Sequence, residues 1–315
     1  MKRKVCIVGA GNVGATVAYT LVAQSIASEI VIVDINNEKS IGEAMDIKQG
    51  VFFCNPCKIY GGDYSDAKDS DIVIITCGSA RKPGQTRIDL AQTNVSIMKS
   101  VIGEITKYAP DSIYIVVSNP VDILTYQFIK KSGISESKII GTGTMLDTAR
   151  LRTTISEHFK INQKNIHAYV FGEHGDSSFV PWSHATISNI NIEDYNNAIF
   201  DPEDKLPPFD KDSALEYVKK SGGDIIEKKG ATFYAVALCA AYICKSIFSR
   251  ENNTMTVSSM LRGEYGISDV CLSTLCIVGE RGIMTKLQPK LSDKELELLN
   301  ISANKLKDVI SQMNF

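Results

Sequence analysis

Short apolar runs alternate with amphipathic stretches through the first 140 or so residues of the chain. The apolar runs predict strands at Lys4–Val8, Ile30–Val33, Lys58–Tyr60, Asp71–Thr76, Ile113–Val117 and Lys138–Ile140. Helical patterns separate them, over Ala15–Ser25, Asn36–Phe53, Arg87–Tyr108 and Pro120–Ser132. Strands that alternate with helices indicate a parallel, doubly wound sheet, whose ligands bind beyond the carboxyl ends of the strands.

The pattern changes after Gly141. A helix is predicted over Thr144–Phe159, strands to about Tyr195, and an exposed polar loop over Asn196–Asp212. The remaining elements are two helical stretches, the second starting at Gly230-Ala231-Thr232, strand-like runs over Thr256–Thr285, and a last helix opened by a capping box at Ser292 and Glu295. We therefore predict a doubly wound α/β domain over residues 1–142, followed by an α+β domain over residues 143–315.

A glycine-rich turn joins the first predicted strand to the first predicted helix. Its sequence is Gly9-Ala10-Gly11-Asn12-Val13-Gly14, and the next predicted strand ends at Asp34. Gly9 allows the tight turn, Gly11 lets the backbone approach a pyrophosphate, and Gly14 lets helix and strand pack closely. Asp34 would accept hydrogen bonds from the ribose hydroxyls and would repel a 2′-phosphate. The motif predicts a Rossmann domain that binds NAD rather than NADP; the alternative is a glycine turn in another α/β protein.

A histidine between two glycines is the first candidate for proton transfer. The β-favouring run Ile166–Phe171 leads into Gly172-Glu173-His174-Gly175-Asp176, and a strand before His174 would hold its ring in place. The unperturbed pKa of histidine lies near neutrality, so His174 could donate or accept a proton. The alternative is a surface histidine in a β-turn.

Asp147 and Arg150 share one face of the helix predicted over Thr144–Phe159. A proton-shuttling histidine needs a carboxylate to fix its tautomer and stabilise its charged form, and Asp147 is the candidate. Arg150 could bind a planar substrate carboxylate through its bidentate guanidinium. The alternative is a surface ion pair.

Composition excludes several classes of protein. The chain has 315 residues and a net charge of -2, which argues against broad binding to nucleic acid or an anionic membrane. The longest apolar run, Tyr234–Cys244, is too short to cross a bilayer, and no signal peptide is expected at the amino terminus. Most of the eight cysteines lie in apolar runs, as expected in a reducing cytoplasm. Cys54 and Cys57 have CxxC spacing, which leaves a minor metal or redox alternative; no metal-ligand set is otherwise apparent.

Several strings of the chain closely resemble the L-lactate dehydrogenases, within the lactate/malate dehydrogenase superfamily. They are Gly9–Gly14, Ser118–Asp122, Gly141–Arg150, Gly172–Asp176, Gly230–Tyr234 and Gly263–Gly266. The resemblance runs from residue 4 to the last helix and is to the bacterial type. It implies a fermentative, glycolytic enzyme that transfers hydride reversibly between NADH and pyruvate.

The resemblance also implies roles for individual residues. His174 protonates the carbonyl of a 2-oxo acid, Asp147 orients His174, and Arg150 grips the substrate carboxylate. Arg87, beside a loop at Ser79–Thr86, polarises the carbonyl when that loop closes. The positions that line the substrate pocket are Asn119 and Thr232. Besides the glycines of the turn, the positions that the resemblance implies contact NAD are Val13, Asp34, Lys39, Tyr64, Gly78, Ser79, Ser118 and Asn119.

One residue departs from the lactate pattern. Arg81 stands at the specificity position of the loop, where lactate dehydrogenases usually have Gln and malate dehydrogenases have Arg. A buried guanidinium facing the methyl group of pyruvate would lack a partner, whereas the second carboxylate of oxaloacetate would pair with it. Pyruvate is the predicted substrate because the other strings are of the lactate type. Malate chemistry remains the alternative, and a sensor that binds nucleotide without turnover is a remote one.

Two residues suggest regulation. Arg152 and His167 occupy positions that bind fructose 1,6-bisphosphate at a subunit interface in activated bacterial lactate dehydrogenases. The resemblance therefore implies a homotetramer activated by this effector. An Arg at position 152 is also common in malate enzymes, and a buried structural histidine is the alternative for His167.

Overall fold

The computed structural model describes residues 3–79 and 86–315. The α-helices of this part are α1 Asn12–Ala23, α2 Asn37–Gly50, α3 Arg87–Tyr108, α4 Val121–Ser132, α5 Met145–Phe159, α6 Tyr195–Ala198, α7 Lys211–Lys229, α8 Tyr234–Ser249 and α9 Asp293–Ser311. Its strands are β1 Lys4–Val8, β2 Glu29–Val33, β3 Lys58–Gly62, β4 Ile72–Ile75, β5 Ile113–Val116, β6 Ile139–Gly141, β7 Ile166–His167, β8 Thr186–Ile187, β9 Ile190–Asn191, β10 Asn253–Arg262, β11 Ser268–Gly279 and β12 Gly282–Lys286. Within these ranges no helix has the length and apolar character needed to cross a membrane.

The predicted doubly wound sheet is confirmed. Among the described residues, nine strands form one sheet in the order β12-β11-β10-β6-β5-β4-β1-β2-β3. The strands β1 to β6 are parallel, and β1 pairs with both β2 and β4. The winding direction therefore reverses between β1 and β4, which opens a crevice at their carboxyl ends, the usual place for a ligand in such a sheet.

Both faces of the sheet are covered by helices, as the continuous apolar strands require. Along β1, Cys6 and Val8 belong to the core that includes residues of α3, α4 and α9. Val5 and Ile7 belong to the opposite core, which includes residues of α1 and α8. Full burial of one such aliphatic side chain stabilises the fold by roughly 1.5–3 kcal/mol. Helices from the second half of the chain thus help to bury the strands of the first half.

The three long strands of the second half join the first sheet. β10 is antiparallel to β6, where Ser258 lies opposite Gly141, and β11 and β12 extend the sheet from there. The sequence predicted strand-like runs in this region but not their place in the sheet. The division of the chain at position 142 stays a prediction.

The strand predicted to lead into His174 is shorter than expected. Only Ile166–His167 is a strand, and β7 to β9 form a small separate sheet of two-residue strands. The backbone N–H of Val170 donates to the Thr148 hydroxyl on α5 at 2.9 Å rather than to a neighbouring strand. Phe171 then forms a single bridge with Phe179. The prediction that a long strand holds His174 is therefore wrong. The N–H of Val170, which would pair with a neighbouring strand in such a structure, is bonded to a side chain of α5 instead.

Candidate active site

His174 and Asp147 are in direct contact. The Nδ1 atom of His174 lies 2.6 Å from Oδ2 of Asp147, which stands in the first turn of α5. The guanidinium of Arg150 donates to the other oxygen of Asp147 at 3.0 Å. Asp147 is only 5% exposed, so this is no surface ion pair. The three residues selected from the sequence form one cluster around the buried carboxylate of Asp147.

The charges of this cluster stabilise one another. Burial alone would lower the pKa of His174, but the negative charge of Asp147 and its hydrogen bond outweigh burial and raise it above the ordinary value. Burial alone would raise the pKa of Asp147, but His174 and Arg150 hold it below the ordinary range. The cluster therefore favours an imidazole that is protonated near neutral pH and faces a permanent carboxylate.

His174 opens into a pocket of about 270 Å³ between the two halves of the chain. Its lining includes a residue of the glycine turn, a residue after β5 and a residue before α8, together with the charged cluster: Val13, Asn119, Thr232, Asp147, Arg150 and His174. Lys219 and Gly222 of α7 also line it. A small acid bound in this pocket would contact the guanidinium of Arg150 and the imidazole of His174, and it would lie next to the crevice at the carboxyl ends of the strands.

The glycine turn has the shape that a pyrophosphate requires. Gly9 has a φ of +112°, and a Cβ on Gly14 would lie 1.9 Å from the Gly9 carbonyl oxygen, so both positions exclude a side chain within the fold itself. A Cβ on Gly11 would instead meet nothing within 4 Å. Gly11 is the N-cap of α1, and no side chain caps its N-terminus. The open space and the free helix N-terminus fit an anionic ligand.

Asp34 directly follows β2 and is hydrogen-bonded to the backbone of the glycine turn. Its Oδ2 accepts from the backbone N–H of Ala10 at 2.6 Å, and its Oδ1 accepts from that of Asn36 at 2.8 Å. The carboxylate is therefore fixed beside the turn. Lys39 is exposed on α2, and Tyr64 is half-buried behind β3.

Asn94 connects the ends of β4 and β5 and was missed by the sequence analysis. Its side-chain oxygen accepts from the Ser79 backbone at 2.7 Å, and its amide donates to the Asn119 carbonyl at 2.7 Å. A Cβ on Gly78 would lie 3.3 Å from the same oxygen. Ser118 donates to the Cys77 carbonyl at 2.5 Å. The predicted positions 78, 79, 118 and 119 thus meet at one edge of the sheet.

Two predicted substrate residues fall wholly or partly outside the described residues. Arg81 lies outside the described residues, and so does the side chain of Arg87. The backbone of Arg87 begins α3, directly after the N-cap Thr86, whose hydroxyl accepts from the Asp89 backbone. The sequence analysis missed this cap.

Arg152 contacts the residues that directly follow His167. Arg152 donates through Nε to the carbonyl of Ala168 at 3.0 Å, and its guanidinium lies 4.9 Å from the centre of the Tyr169 ring. His167 is exposed, so the buried structural alternative is wrong. Arg152, Lys164 and Tyr169 line a separate cleft.

The fold and the site agree with the comparisons to known proteins. The family model described as lactate/malate dehydrogenase, NAD binding domain, matches residues 3–141, and the model for the alpha/beta C-terminal domain matches residues 144–314. An L-lactate dehydrogenase of Acetivibrio thermocellus is 48% identical over 312 residues, which are 99% of this chain and 98% of that protein.

Two solved structures are similar over the whole chain. A lactate dehydrogenase from a Medee basin deep-sea metagenome library has a TM-score of 0.95 at 38% identity, covering 100% of this chain and 99% of that one. The minor L-lactate dehydrogenase of Enterococcus mundtii, in a ligand-bound form, has a TM-score of 0.94 at 36% identity with the same coverage. The chain therefore belongs to the lactate/malate dehydrogenase family, and its first half is the NAD-binding domain of that family.

Proposed function

We propose that the protein is an NAD-dependent L-lactate dehydrogenase that interconverts pyruvate and L-lactate. The observation that carries the proposal is the buried Asp147–His174 pair, with Arg150 beside it, in a small pocket that reaches the glycine-turn residue Val13. The full-length similarity to an L-lactate dehydrogenase favours lactate over malate chemistry.

The chain's own residues account for the proton and for the position of the substrate. When NADH is bound, its nicotinamide supplies the hydride. The guanidinium of Arg150 pairs with the carboxylate of pyruvate, and the protonated imidazole of His174 donates its Nε2 proton to the ketone oxygen. Asp147 fixes the tautomer of His174 and stabilises its charge before that transfer.

NADH is the proposed cofactor, in preference to NADPH. Asp34 is held beside the glycine turn by the backbone of Ala10 and Asn36. Its negative charge would repel the 2′-phosphate of NADPH at close range. The open space at Gly11 supports a pyrophosphate there.

The decisive experiment compares kcat/KM for pyruvate and oxaloacetate with NADH on one preparation, followed at 340 nm, with Arg81→Gln alongside. We expect pyruvate to be the better substrate of the unmutated enzyme. Arg81→Gln should lower the turnover of oxaloacetate much more than that of pyruvate, because only oxaloacetate offers a second carboxylate to the guanidinium. A preference for oxaloacetate above about tenfold, roughly 1.4 kcal/mol, would make the protein a malate dehydrogenase. No turnover of either acid would favour a nucleotide-binding sensor.

We also propose a homotetramer, on the resemblance and on one apolar surface. Helices α1, α2 and α8, and the short 3₁₀ helix Val51–Phe53 that follows α2, lie on the same side of the sheet. They expose large apolar side chains, here called the apolar face: Tyr19, Met45, Phe52, Phe53, Leu238 and Tyr242. Phe52 and Phe53 are 87% and 85% exposed. Large exposed apolar side chains grouped on one side of a protein are typical of a protein–protein contact.

Activation by fructose 1,6-bisphosphate is the proposed regulation. Arg152 is hydrogen-bonded to the residue after the exposed His167, and we expect an anionic sugar phosphate to contact both side chains. We expect the effector to lower KM for pyruvate near neutral pH, and Arg152→Gln and His167→Gln to abolish that change. Arg250→Gln, which removes a guanidinium paired with Glu280, is the matched control and should keep it. An unchanged saturation curve of the unmutated enzyme would remove the regulatory proposal alone.

A fermentative role in a reducing cytoplasm completes the proposal. All eight cysteines are free, which suits a reducing compartment. Burial raises the pKa of the Cys57 thiol to about 11, which makes a reactive thiolate at the Cys54–Cys57 spacing unfavourable. Residues 1–142 and 143–315 are the proposed cofactor and substrate domains, and the second also supplies subunit contacts.

A further inference from the structure

A second buried carboxylate lies next to the catalytic histidine. Asp122 is 3% exposed, and its Oδ2 accepts a hydrogen bond from the backbone N–H of His174 at 2.8 Å. Its Oδ1 accepts from the hydroxyl of Ser258 at 2.5 Å. Asp147 holds the ring of His174, whereas Asp122 holds its backbone.

Asp122 is fixed by the sheet and by the start of a helix. It lies in the first turn of α4, where the free N–H groups of the helix stabilise a negative charge. Its partner Ser258 belongs to β10 and lies opposite Gly141, at the pair that joins the strands of the two halves. The carboxylate is thus attached to the central sheet, where β10 joins β6.

The turn that carries His174 is also held from α9, but without charge. The hydroxyl of Ser302 accepts from the backbone N–H of Glu173 at 2.7 Å. Gly172 has a φ of +95°, and a Cβ there would lie 2.7 Å from the same hydroxyl. Ser302 therefore holds the turn through a neutral hydrogen bond, and Asp122 is the anchor that also affects the electrostatics of the imidazole.

We infer that Asp122 is a positioning residue for His174, which anchors its backbone and supplies a second negative charge that favours the protonated imidazole. The inference deepens the proposed function and rests on it. Burial raises the pKa of Asp122 to about 6, although its two hydrogen bonds act in the opposite direction, so the carboxylate is largely ionised at neutral pH. The ionisable groups around the pair, from each neighbouring element, are Asp147, Arg150, Glu173 and Cys271.

Asp122→Asn removes the negative charge of the side chain but keeps its shape. The amide oxygen can still accept from the His174 backbone, and the amide nitrogen can donate to the Ser258 hydroxyl, so the turn keeps its place. Loss of the charge should lower the pH midpoint of pyruvate reduction by about half a unit or more. An NMR titration of the imidazoles should show the same shift of the His174 midpoint. KM for NADH should stay unchanged. Asp122→Ala, which loses the anchor as well, should lower kcat by about tenfold or more beyond the Asn variant.

Two further variants make the test specific. Asp269→Asn removes a carboxylate that pairs with Lys130, near the other end of α4, and should leave both midpoints in place. Ser258→Ala keeps the Asp122 carboxyl but removes a donor that stabilises its charge, so it should move the midpoints in the same direction by less. This variant serves if Asp122→Asn does not fold.

The possible outcomes separate the two proposals. Folded Asp122→Asn and Ser258→Ala proteins with the His174 midpoint and kcat of the unmutated enzyme would overturn the role of Asp122. An unmutated enzyme that turns over no 2-oxo acid would instead overturn the proposed function. The NMR titration needs no substrate, so it still tests the charge effect in that case.

Discussion

At the scale of single residues, the site depends on one coupled pair. The Nδ1 atom of His174 lies 2.6 Å from Asp147, and this contact raises the pKa of the imidazole despite its burial. The same carboxylate also holds Arg150. The residue that donates the proton and the residue that binds the substrate therefore share one structural support, so a change at Asp147 would disturb both.

The pair predicts opposite pH dependences for the two directions of the reaction. Reduction of pyruvate needs the protonated imidazole, so its kcat/KM should be highest at low pH and fall as pH rises through a midpoint above the ordinary pKa of histidine. Oxidation of lactate needs the neutral imidazole and should rise through that midpoint. His174→Ala should remove the midpoint and lower kcat by about 10²–10⁴-fold while NADH still binds. A variant that keeps half of its turnover would contradict the role of His174.

At the scale of elements, the turn between β1 and α1 contains glycines with different purposes. Gly9 and Gly14 are required by the packing of the turn against itself, since a Cβ on Gly14 would overlap the Gly9 carbonyl. Gly11 faces open space, so the packing of the fold does not exclude a side chain there, whereas a bound pyrophosphate would. Stability and cofactor binding should therefore respond separately to substitution.

Gly11→Ala and Gly14→Ala test this separation as a matched pair. We expect Gly11→Ala to cost at most about 1 kcal/mol of stability, as a less favourable N-cap, but to weaken NADH binding by about tenfold or more, because its Cβ would enter the pyrophosphate space. Gly14→Ala should lower the free energy of unfolding by roughly 1–3 kcal/mol or more. The measurements are denaturant unfolding and NADH fluorescence titration. Unchanged NADH affinity in Gly11→Ala would argue against cofactor binding at this turn.

At the scale of the whole molecule, the monomer exposes the apolar face to solvent. Phe53 is 85% exposed in the short 3₁₀ helix after α2, and Tyr242 is 43% exposed on α8. Phe53→Glu should disrupt the proposed tetramer, because a charged side chain would be buried in an apolar contact. Analytical ultracentrifugation should then show a smaller species than for the unmutated protein. Tyr108→Glu, at an exposed aromatic position on the other side of the sheet, is the control. A tetramer that survives Phe53→Glu would exclude this face as an essential contact.

Much of the fold and part of the site follow from local patterns in the sequence. The alternation of apolar runs and helical stretches predicted the parallel sheet, and α3 has the predicted bounds Arg87–Tyr108. The helix that places Asp147 and Arg150 on one face was also predictable, because helical periodicity depends only on neighbouring residues. The glycine turn was recognisable because its steric requirement lies within a few residues.

Only the tertiary structure decided how distant segments support His174. The bond from its backbone to Asp122, the contact of Ser302 with Glu173, and the addition of β10 to β6 each join residues far apart along the chain. No local periodicity encodes such contacts, since they depend on how whole elements pack. For the same reason the local pattern of Ile166–Phe171 predicted a long strand, whereas the N–H of Val170 donates to the Thr148 hydroxyl on α5. The sequence alone determined which groups could do the chemistry; the packing of α4, α5 and α9 around one turn determined how they are held.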